Sequence, residues 1–306
     1  MRPDISDFRF ISELPAFKIT IAYDGTDFVG WQRQATGVSV QGLLEDALAE
    51  LDEGAVTVVG AGRTDAGVHA LGQVAAFTVK RTIAGDAVVR ALNVRLPETV
   101  RVLEADEVSA EFHPQFGARS KTYRYRIWNG GVLSPFERRY AWHVIGALDV
   151  GAMEAAARFL EGTHDFAVFR ATGSEVKTTV RHVMSSRVVK SSTTEDTDRN
   201  YINGGHGSLD RSESVASVDM NLFRDLRGSA FSGHLITYEI TGDGFLRHMV
   251  RTIVGTLVEI GRGRRAPGWI SELVASRDRS LAGPTAPPHG LFLTRVDYQT
   301  PGAPCE

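Results

Sequence analysis

Residues 60–70, GAGRTDAGVHA, place one carboxylate, Asp65, among three glycines and close to Arg63 and His69. A phosphate-binding loop is disfavoured here, because such a loop leads into a helix, whereas the next residues, LGQVAAF, alternate like a strand. A metal site built from Asp65 and His69 lacks a third ligand nearby. An aspartate that caps a turn is the ordinary structural alternative. For an isolated Asp-Ala-Gly the turn would be favoured, but Arg63 two residues before the acid and Thr64 between them make a functional loop worth considering.

The positive charge of the chain is concentrated in two segments. The 306 residues carry a formal net charge of -3, and the stretch 191–218, with five acids and two arginines, contributes all of it. The remainder is about neutral, but basic residues cluster in RSKTYRYR at 119–126 and in RHMVRTIVGTLVEIGRGRR at 247–265. Basic residues interleaved with tyrosines suit a surface that holds phosphates and stacks a base. A charged strand face in solvent is the alternative.

Apolar periodicity predicts the same succession of elements twice. The first set has strands at 17–23, 55–61, 73–80 and 99–106, and helices at 40–51, with Ser39 as its N-cap, and at 84–94. The second set has strands at 121–128, 180–190, 233–245 and 290–298, and helices at 149–162 and 246–263. Both follow the ferredoxin-like order β-α-β-β-α-β.

The predicted fold class is therefore α+β. Two ferredoxin-like (RRM-like) halves, 14–110 and 111–300, are expected to share a mainly antiparallel sheet with a central cleft. The acidic segment 191–218 is expected to be a mobile insertion that points away from the cleft or is disordered, because its charge would repel a nucleic acid bound there.

Composition narrows the class of protein further. No stretch approaches the eighteen or so apolar residues of a membrane span, and the N-terminus lacks the layout of a signal peptide. We therefore expect a cytoplasmic protein with no membrane association. The single cysteine, Cys305, excludes an internal disulfide and a cysteine-rich metal site.

The longer run around the opening motif, GAGRTDAGVHALGQVAAF, closely resembles the catalytic segment of the TruA-type tRNA pseudouridine synthases. Further segments resemble the same family in the same order and cover nearly the whole chain: YDGTDFVGWQRQ at 23–34, FHPQFGARSKTYRYRI at 112–127, DFAVFRA at 165–171, GDGFLRHMVRTIVGTL at 242–257 and PPHGLFLTRVDY at 287–298. The resemblance implies a continuous sheet, an active site in the central cleft, and a homodimer. It also implies action on positions 38, 39 and 40 of the tRNA anticodon stem-loop, with no cofactor and no metal.

The resemblance also implies roles for individual residues. Asp65 is the catalytic aspartate, and Arg63 engages the RNA as the target nucleotide turns out. Tyr123 packs against the target base, and Arg251 is the basic partner of the aspartate. Leu246 and Met249 help to shape the pocket. Candidate RNA contacts are Arg33, Arg119, Lys121, Arg170 and Arg247, with Arg262, Arg264 and Arg265 as further candidates.

A carboxylate suits the chemistry that the resemblance implies. The C1'–N1 bond of uridine must break, the uracil must turn, and C5 must bond to C1'. An aspartate could attack C1' or C6, or take part in proton removal at C2' and C5, and the residues leave these routes open. A cation within about 4 to 6 Å favours the ionised form of the aspartate. Two other functions stay open, namely RNA binding without catalysis and hydrolysis by Asp65 and His69.

Overall fold

The computed structural model describes residues 14–171, 173, 176–191 and 233–298. Ten strands of this part of the chain form one sheet. The strands are β1 (Ala16–Tyr23), β2 (Val59–Gly60), β3 (His69–Thr78), β4 (Val100–Val108), β5 (Ala118–Gly130), β6 (Trp142–Val144), β7 (Gly162–Asp165), β8 (Val180–Ser191), β9 (Gly233–Gly242) and β10 (Leu291–Tyr298). The α-helices are α1 (Val40–Asp52), α2 (Gly85–Arg95), α3 (Val150–Arg158), α4 (Met249–Gly261) and α5 (Trp269–Ser276). Short 3₁₀ turns lie at Ala167–Phe169, Arg279–Leu281 and Pro288–Gly290.

The strands form two groups along the sheet. One group has the order β4-β1-β3, with β2 on the edge of β3 opposite to β1, and the other has the order β10-β5-β9-β8-β7. Neighbouring strands are antiparallel except for β10 with β3 and β6 with β5. The sheet is therefore mainly antiparallel and the fold mixes helices and strands, as the sequence predicts.

The two groups meet where β10 runs parallel to the start of β3. Phe292 pairs with His69 at this joint. β2 pairs with the same edge of β3 further along, through Val59 and Ala76. The loop that links β2 to β3, residues 61–68, consequently emerges at the junction between the groups.

Helix α1 forms for reasons that are visible in its residues. Ser39 has an extended backbone, and its side chain accepts a hydrogen bond from the N–H of Gly42. This satisfies one of the donors that a helix N-terminus leaves free. Val40, Leu44 and Leu48 are fully buried on one face of the helix. The predicted helix and its N-cap are confirmed.

Helix α4 is buried along nearly its whole length. Of its 13 residues, 11 are buried, and the exceptions are Arg251 and Glu259. Gly255 lets the chain pass closely, since a Cβ there would lie 1.7 Å from the Pro284 carbonyl oxygen. A charged side chain in the first turn of such a helix needs a polar partner, because an unpaired charge beside the core is costly.

The predicted strand at 55–61 is wrong in length. Only Val59–Gly60 pairs with β3. The carbonyl of Val58 instead accepts a hydrogen bond from the Gln41 amide at 2.9 Å, and its N–H donates to Glu45 at 3.4 Å. Side chains of α1 therefore form hydrogen bonds with the backbone N–H and C=O of Val58, which a longer strand would have paired with a neighbouring strand.

The other predicted elements are present with shifted ends, and β6, β7 and α5 were not predicted. The predicted insertion at 191–218 lies outside the described residues, apart from Ser191. No helix in the described ranges is long and apolar enough to cross a membrane.

Candidate active site

Asp65 opens a tight turn in the loop 61–68. The N–H of Val68 donates to the Asp65 carbonyl at 3.1 Å. Gly67, the third residue of the turn, has a φ of +76°, which a type II turn requires there and which glycine adopts without strain. A Cβ at this position would also lie 3.0 Å from Pro288. Asp65 therefore belongs to a turn, but its side chain points to a partner outside it.

The loop is held from one side by the segment 23–34. The N–H of Trp31 donates to the Thr64 carbonyl at 3.1 Å, and the hydroxyls of Tyr23 and Thr64 are 2.8 Å apart. Gly30 has a φ of +112°, and a Cβ there would lie 2.6 Å from the Thr64 carbonyl oxygen. This close approach fixes the backbone immediately before the carboxylate.

Strand β3 holds the start of the loop. The N–H of Ala61 donates to the Val74 carbonyl at 2.7 Å. Gln73 is fully buried, and its amide donates to the Gly62 carbonyl at 2.9 Å. Both flanks of the carboxylate are thus anchored on rigid elements, which is what a preorganised site needs.

The carboxylate of Asp65 is paired with Arg251, 186 residues later in the chain. Nη1 of Arg251 donates to Oδ2 of Asp65 at 3.1 Å, and Nε of Arg251 donates to the Ala286 carbonyl at 2.8 Å. The side chains of Arg251 and Asp65 are 13% and 24% exposed. The guanidinium is therefore held in one orientation by the backbone, and the carboxylate keeps access to solvent.

His248 also reaches this carboxylate and was not predicted as a site residue. Its Nε2 lies 3.6 Å from Oδ2 of Asp65. Burial lowers the pKa of His248, and the charge of Asp65 opposes this shift. No helical spacing in the sequence identifies it, because His248 precedes α4 and has a left-handed backbone with a φ of +64°.

Tyr123 lies beside the carboxylate on β5. Burial raises the pKa of its hydroxyl, and Tyr23 and the charge of Asp65 raise it further. The residue is 7% exposed, and its ring meets that of Phe245 edge-on at 5.1 Å.

The two predicted pocket residues belong to the core, with Leu246 at 4% and Met249 at 0% exposure.

Arg63 is exposed two residues before Asp65, and its side chain pairs with no residue in the described ranges. It is therefore available to a ligand. Arg33, in contrast, pairs with Glu45 and Asp46 at the surface of α1.

The other predicted RNA contacts differ in their environment. Arg119 is exposed, and the side chain of Lys121 runs past Gly62 in the Asp65 loop, 3.7 Å from the position of an added Cβ. Burial lowers the pKa of Lys121. Arg170 is half-buried and Arg247 is exposed; the Arg247 carbonyl accepts the N–H of the residue after Arg170 at 3.0 Å.

The last three candidates follow the C-terminal end of α4, which lies about 15 Å along the helix from Arg251. Arg262 and Arg264 pair with Glu259, and Arg265 lies over the ring of Trp269 at 5.0 Å.

His69 is a buried hydrogen-bonding residue, 1% exposed. Its Nδ1 lies 3.0 Å from the backbone nitrogen of Gly25 and 3.1 Å from Oδ1 of Asp24, and its Nε2 faces the carbonyls of Arg139 and His289. Burial lowers the pKa of His69. No group of three or more potential ligands for a metal occurs among the described residues.

A partly exposed carboxylate, fixed beside an arginine and a tyrosine and approached by basic side chains, is the arrangement of an enzyme that acts on a polyanion through an acid group. Comparison with known proteins gives the family. The sequence model described as tRNA pseudouridine synthase matches residues 19–117 and 156–299. The chain belongs to this family and is an isomerase of the pseudouridine synthase class, which confirms the resemblance seen in its motifs.

Individual relatives match over nearly the full length. The tRNA pseudouridine synthase A of Myxococcus xanthus is 41% identical over 286 residues, which cover 94% of this chain and 93% of the relative. That of Moorella thermoacetica is 43% identical over 287 residues, or 93% and 100% of the two chains. That of Pelobacter propionicus is 40% identical over 281 residues, or 92% and 98%.

Proposed function

We propose that this protein isomerises uridine to pseudouridine at positions 38, 39 and 40 in the anticodon stem-loop of tRNA, with Asp65 as the catalytic residue. The observation that carries the proposal is the pairing of Asp65 with Arg251 at 3.1 Å on a loop that keeps the carboxylate 24% exposed. The family match supports tRNA as the substrate.

The reaction requires no added group. The C1'–N1 bond breaks, the uracil turns, and a C1'–C5 bond forms; C5 then loses its proton and N1 gains one. Asp65 serves either as a nucleophile or in proton transfer. Arg251 orients the carboxylate in both cases through the hydrogen bond from its Nη1 to Oδ2 at 3.1 Å.

The target base cannot react while it is stacked in the RNA, so we propose that it is flipped out and packs against Tyr123. Extrusion of a base costs a few kcal/mol, and stacking on an aromatic ring returns about 1 to 3 kcal/mol. The position of Tyr123 beside Asp65, whose charge contributes to the raised pKa of the tyrosine, supports this role.

Contacts to the RNA backbone are assigned to basic residues that are exposed or, for Lys121, half-buried. Arg63 is the candidate for the contact that accompanies base flipping, because it is exposed two residues from Asp65 and unpaired among the described residues. Lys121 and Arg247 are candidates for adjacent phosphates. Arg33 would have to exchange its carboxylate partners for a phosphate.

We further propose that residues 14–110 and 111–300 are two ferredoxin-like halves. The strand orders β4-β1-β3-β2 and β10-β5-β9-β8 support this, since in each group the first strand lies between the fourth and the third. The protein is proposed to act as a homodimer in the cytoplasm, without a cofactor. Light scattering on the purified protein tests the dimer.

Release of tritium from tRNA labelled at C5 of uridine tests the function. The wild type should release tritium without added metal, and Asp65→Asn should abolish release while still binding the tRNA. Asp86→Asn is the matched control, because Asp86 is an exposed aspartate paired with Arg90 on α2. Binding without release by the wild type would instead indicate an RNA-binding protein without catalysis.

A further inference from the structure

His248 precedes helix α4 and lies against the carboxylate of Asp65. Its Nε2 is 3.6 Å from Oδ2, the same oxygen that accepts the hydrogen bond from Arg251. This distance is a contact and not a hydrogen bond. The side chains of His248 and Asp65 are 29% and 24% exposed. A movement of a few tenths of an ångström would therefore turn the contact into a bond, and both side chains have room for it.

The backbone of His248 directs the imidazole into the site. Its φ is +64°, a left-handed conformation that is uncommon for residues other than glycine. The side chain does not cap the helix, although the backbone carbonyl accepts the N–H of Thr252 at 2.9 Å. Arg251 follows three residues later, in the first turn of α4, and donates to the same oxygen of Asp65. One turn of chain thus presents an imidazole and a guanidinium to a single carboxylate oxygen.

Four charged groups act on the imidazole. Burial lowers the pKa of His248 and Asp65 raises it, while Arg251, Arg247 and Arg279 lower it further. Arg279 is itself held in place by bonds to the carbonyl of residue 283 and the hydroxyl of residue 285. The imidazole is therefore neutral at neutral pH and takes up a proton only below its ordinary range near 6.5.

We propose that His248 is a positioning residue for the reaction: neutral, it leaves the Asp65 carboxylate with Arg251, and protonated, it binds the carboxylate as a second cation and withholds it from the nucleotide. The proton comes from solvent and returns to it. A carboxylate held by two cations is a poorer nucleophile and a poorer base, so acid slows the isomerisation. This inference rests on the proposed function of Asp65.

The pH dependence of kcat for tritium release tests this role. The wild type should lose activity as the pH falls below about 6.5. In His248→Asn, whose side chain tolerates the left-handed backbone and does not titrate, the acid limb should move at least one pH unit lower. His248→Gly, which suits the same backbone, should give the same shift. His143→Asn is the control, because His143 lies on β6, where it pairs with Trp128 of β5. Identical acid limbs in the wild type and both variants would overturn the proposal.

A second measurement does not depend on activity. The Cε1–H resonance of His248, assigned by its absence in His248→Asn, can be titrated by NMR. Its pKa should fall in Asp65→Asn, because the carboxylate is the group that raises it. An unchanged titration would overturn this inference alone. Full activity of Asp65→Asn would instead overturn the proposed function, and the positioning role with it.

Discussion

Replacement of Arg251 by glutamine should slow the reaction by more than it weakens the fold. The guanidinium donates to Asp65 at 3.1 Å and to the Ala286 carbonyl at 2.8 Å. A hydrogen bond to a charged group contributes about 1.5 to 3 kcal/mol. Asp65 is 24% exposed, so water replaces part of this bond and the lower end, about 1.5 to 2 kcal/mol, is expected. At about 1.4 kcal/mol per factor of ten, kcat should fall about 10- to 30-fold.

The stability of the same variant should change by less. In the free protein, water replaces the guanidinium at the 24% exposed Asp65 carboxylate, so the fold loses mainly the bond to the Ala286 carbonyl, at about 1 kcal/mol. Single-turnover tritium release measures the rate, and urea unfolding measures the free energy. Arg158→Gln is the control, because it breaks an exposed pair with Glu154 on α3 and should change the free energy of unfolding by less than about 0.5 kcal/mol. A folded Arg251→Gln protein with kcat within about threefold of the wild type would refute the reasoning.

Three further predictions concern the surroundings of the carboxylate. Gly60→Ala would place a Cβ 2.5 Å from the ring of Trp31; urea unfolding should show a loss of about 1 to 3 kcal/mol, whereas Gly131→Ala, which meets nothing within 4 Å, should show none. Tyr123→Phe should keep kcat/KM within about fivefold, and Tyr123→Leu should lose about 5- to 150-fold if the ring stacks on the base; equal activities would exclude stacking. Because burial holds the pKa of His69 below its ordinary value, the unfolded chain protonates first and stability should fall as the pH drops below about 6.5; His69→Gln should flatten the dependence of the urea midpoint on pH between about 5 and 7, and an unaltered slope would contradict this.

Elements with strong local signals could be predicted from the residues. Ser39 and the apolar spacing of Val40, Leu44 and Leu48 define α1 without reference to the rest of the chain. The family motifs identified Asp65 and Arg251 as partners, and the structure joins them. Their roles in catalysis stay predictions.

Elements that depend on distant partners could not be predicted. Residues 55–58 alternate like a strand, but Gln41 and Glu45 bind the backbone of Val58 and end the ladder. β6 and β7 are three and four residues long, too short for periodicity to be counted. The contact of His248 with Asp65 could not be predicted, because it depends on a backbone φ of +64°. A histidine in the sequence does not indicate that conformation.

The sequence alone determines the apolar periodicity and the helix capping, because these depend on neighbours within a few positions. It also determines that an aspartate, an arginine and a tyrosine are present. The geometry of the site depends on contacts across long separations. Asp65 and Arg251 stand 186 residues apart and come within 3.1 Å only because β10 joins the edge of β3 beside the Asp65 loop. Packing alone decides which side chains share that junction, and therefore which charges act on the carboxylate.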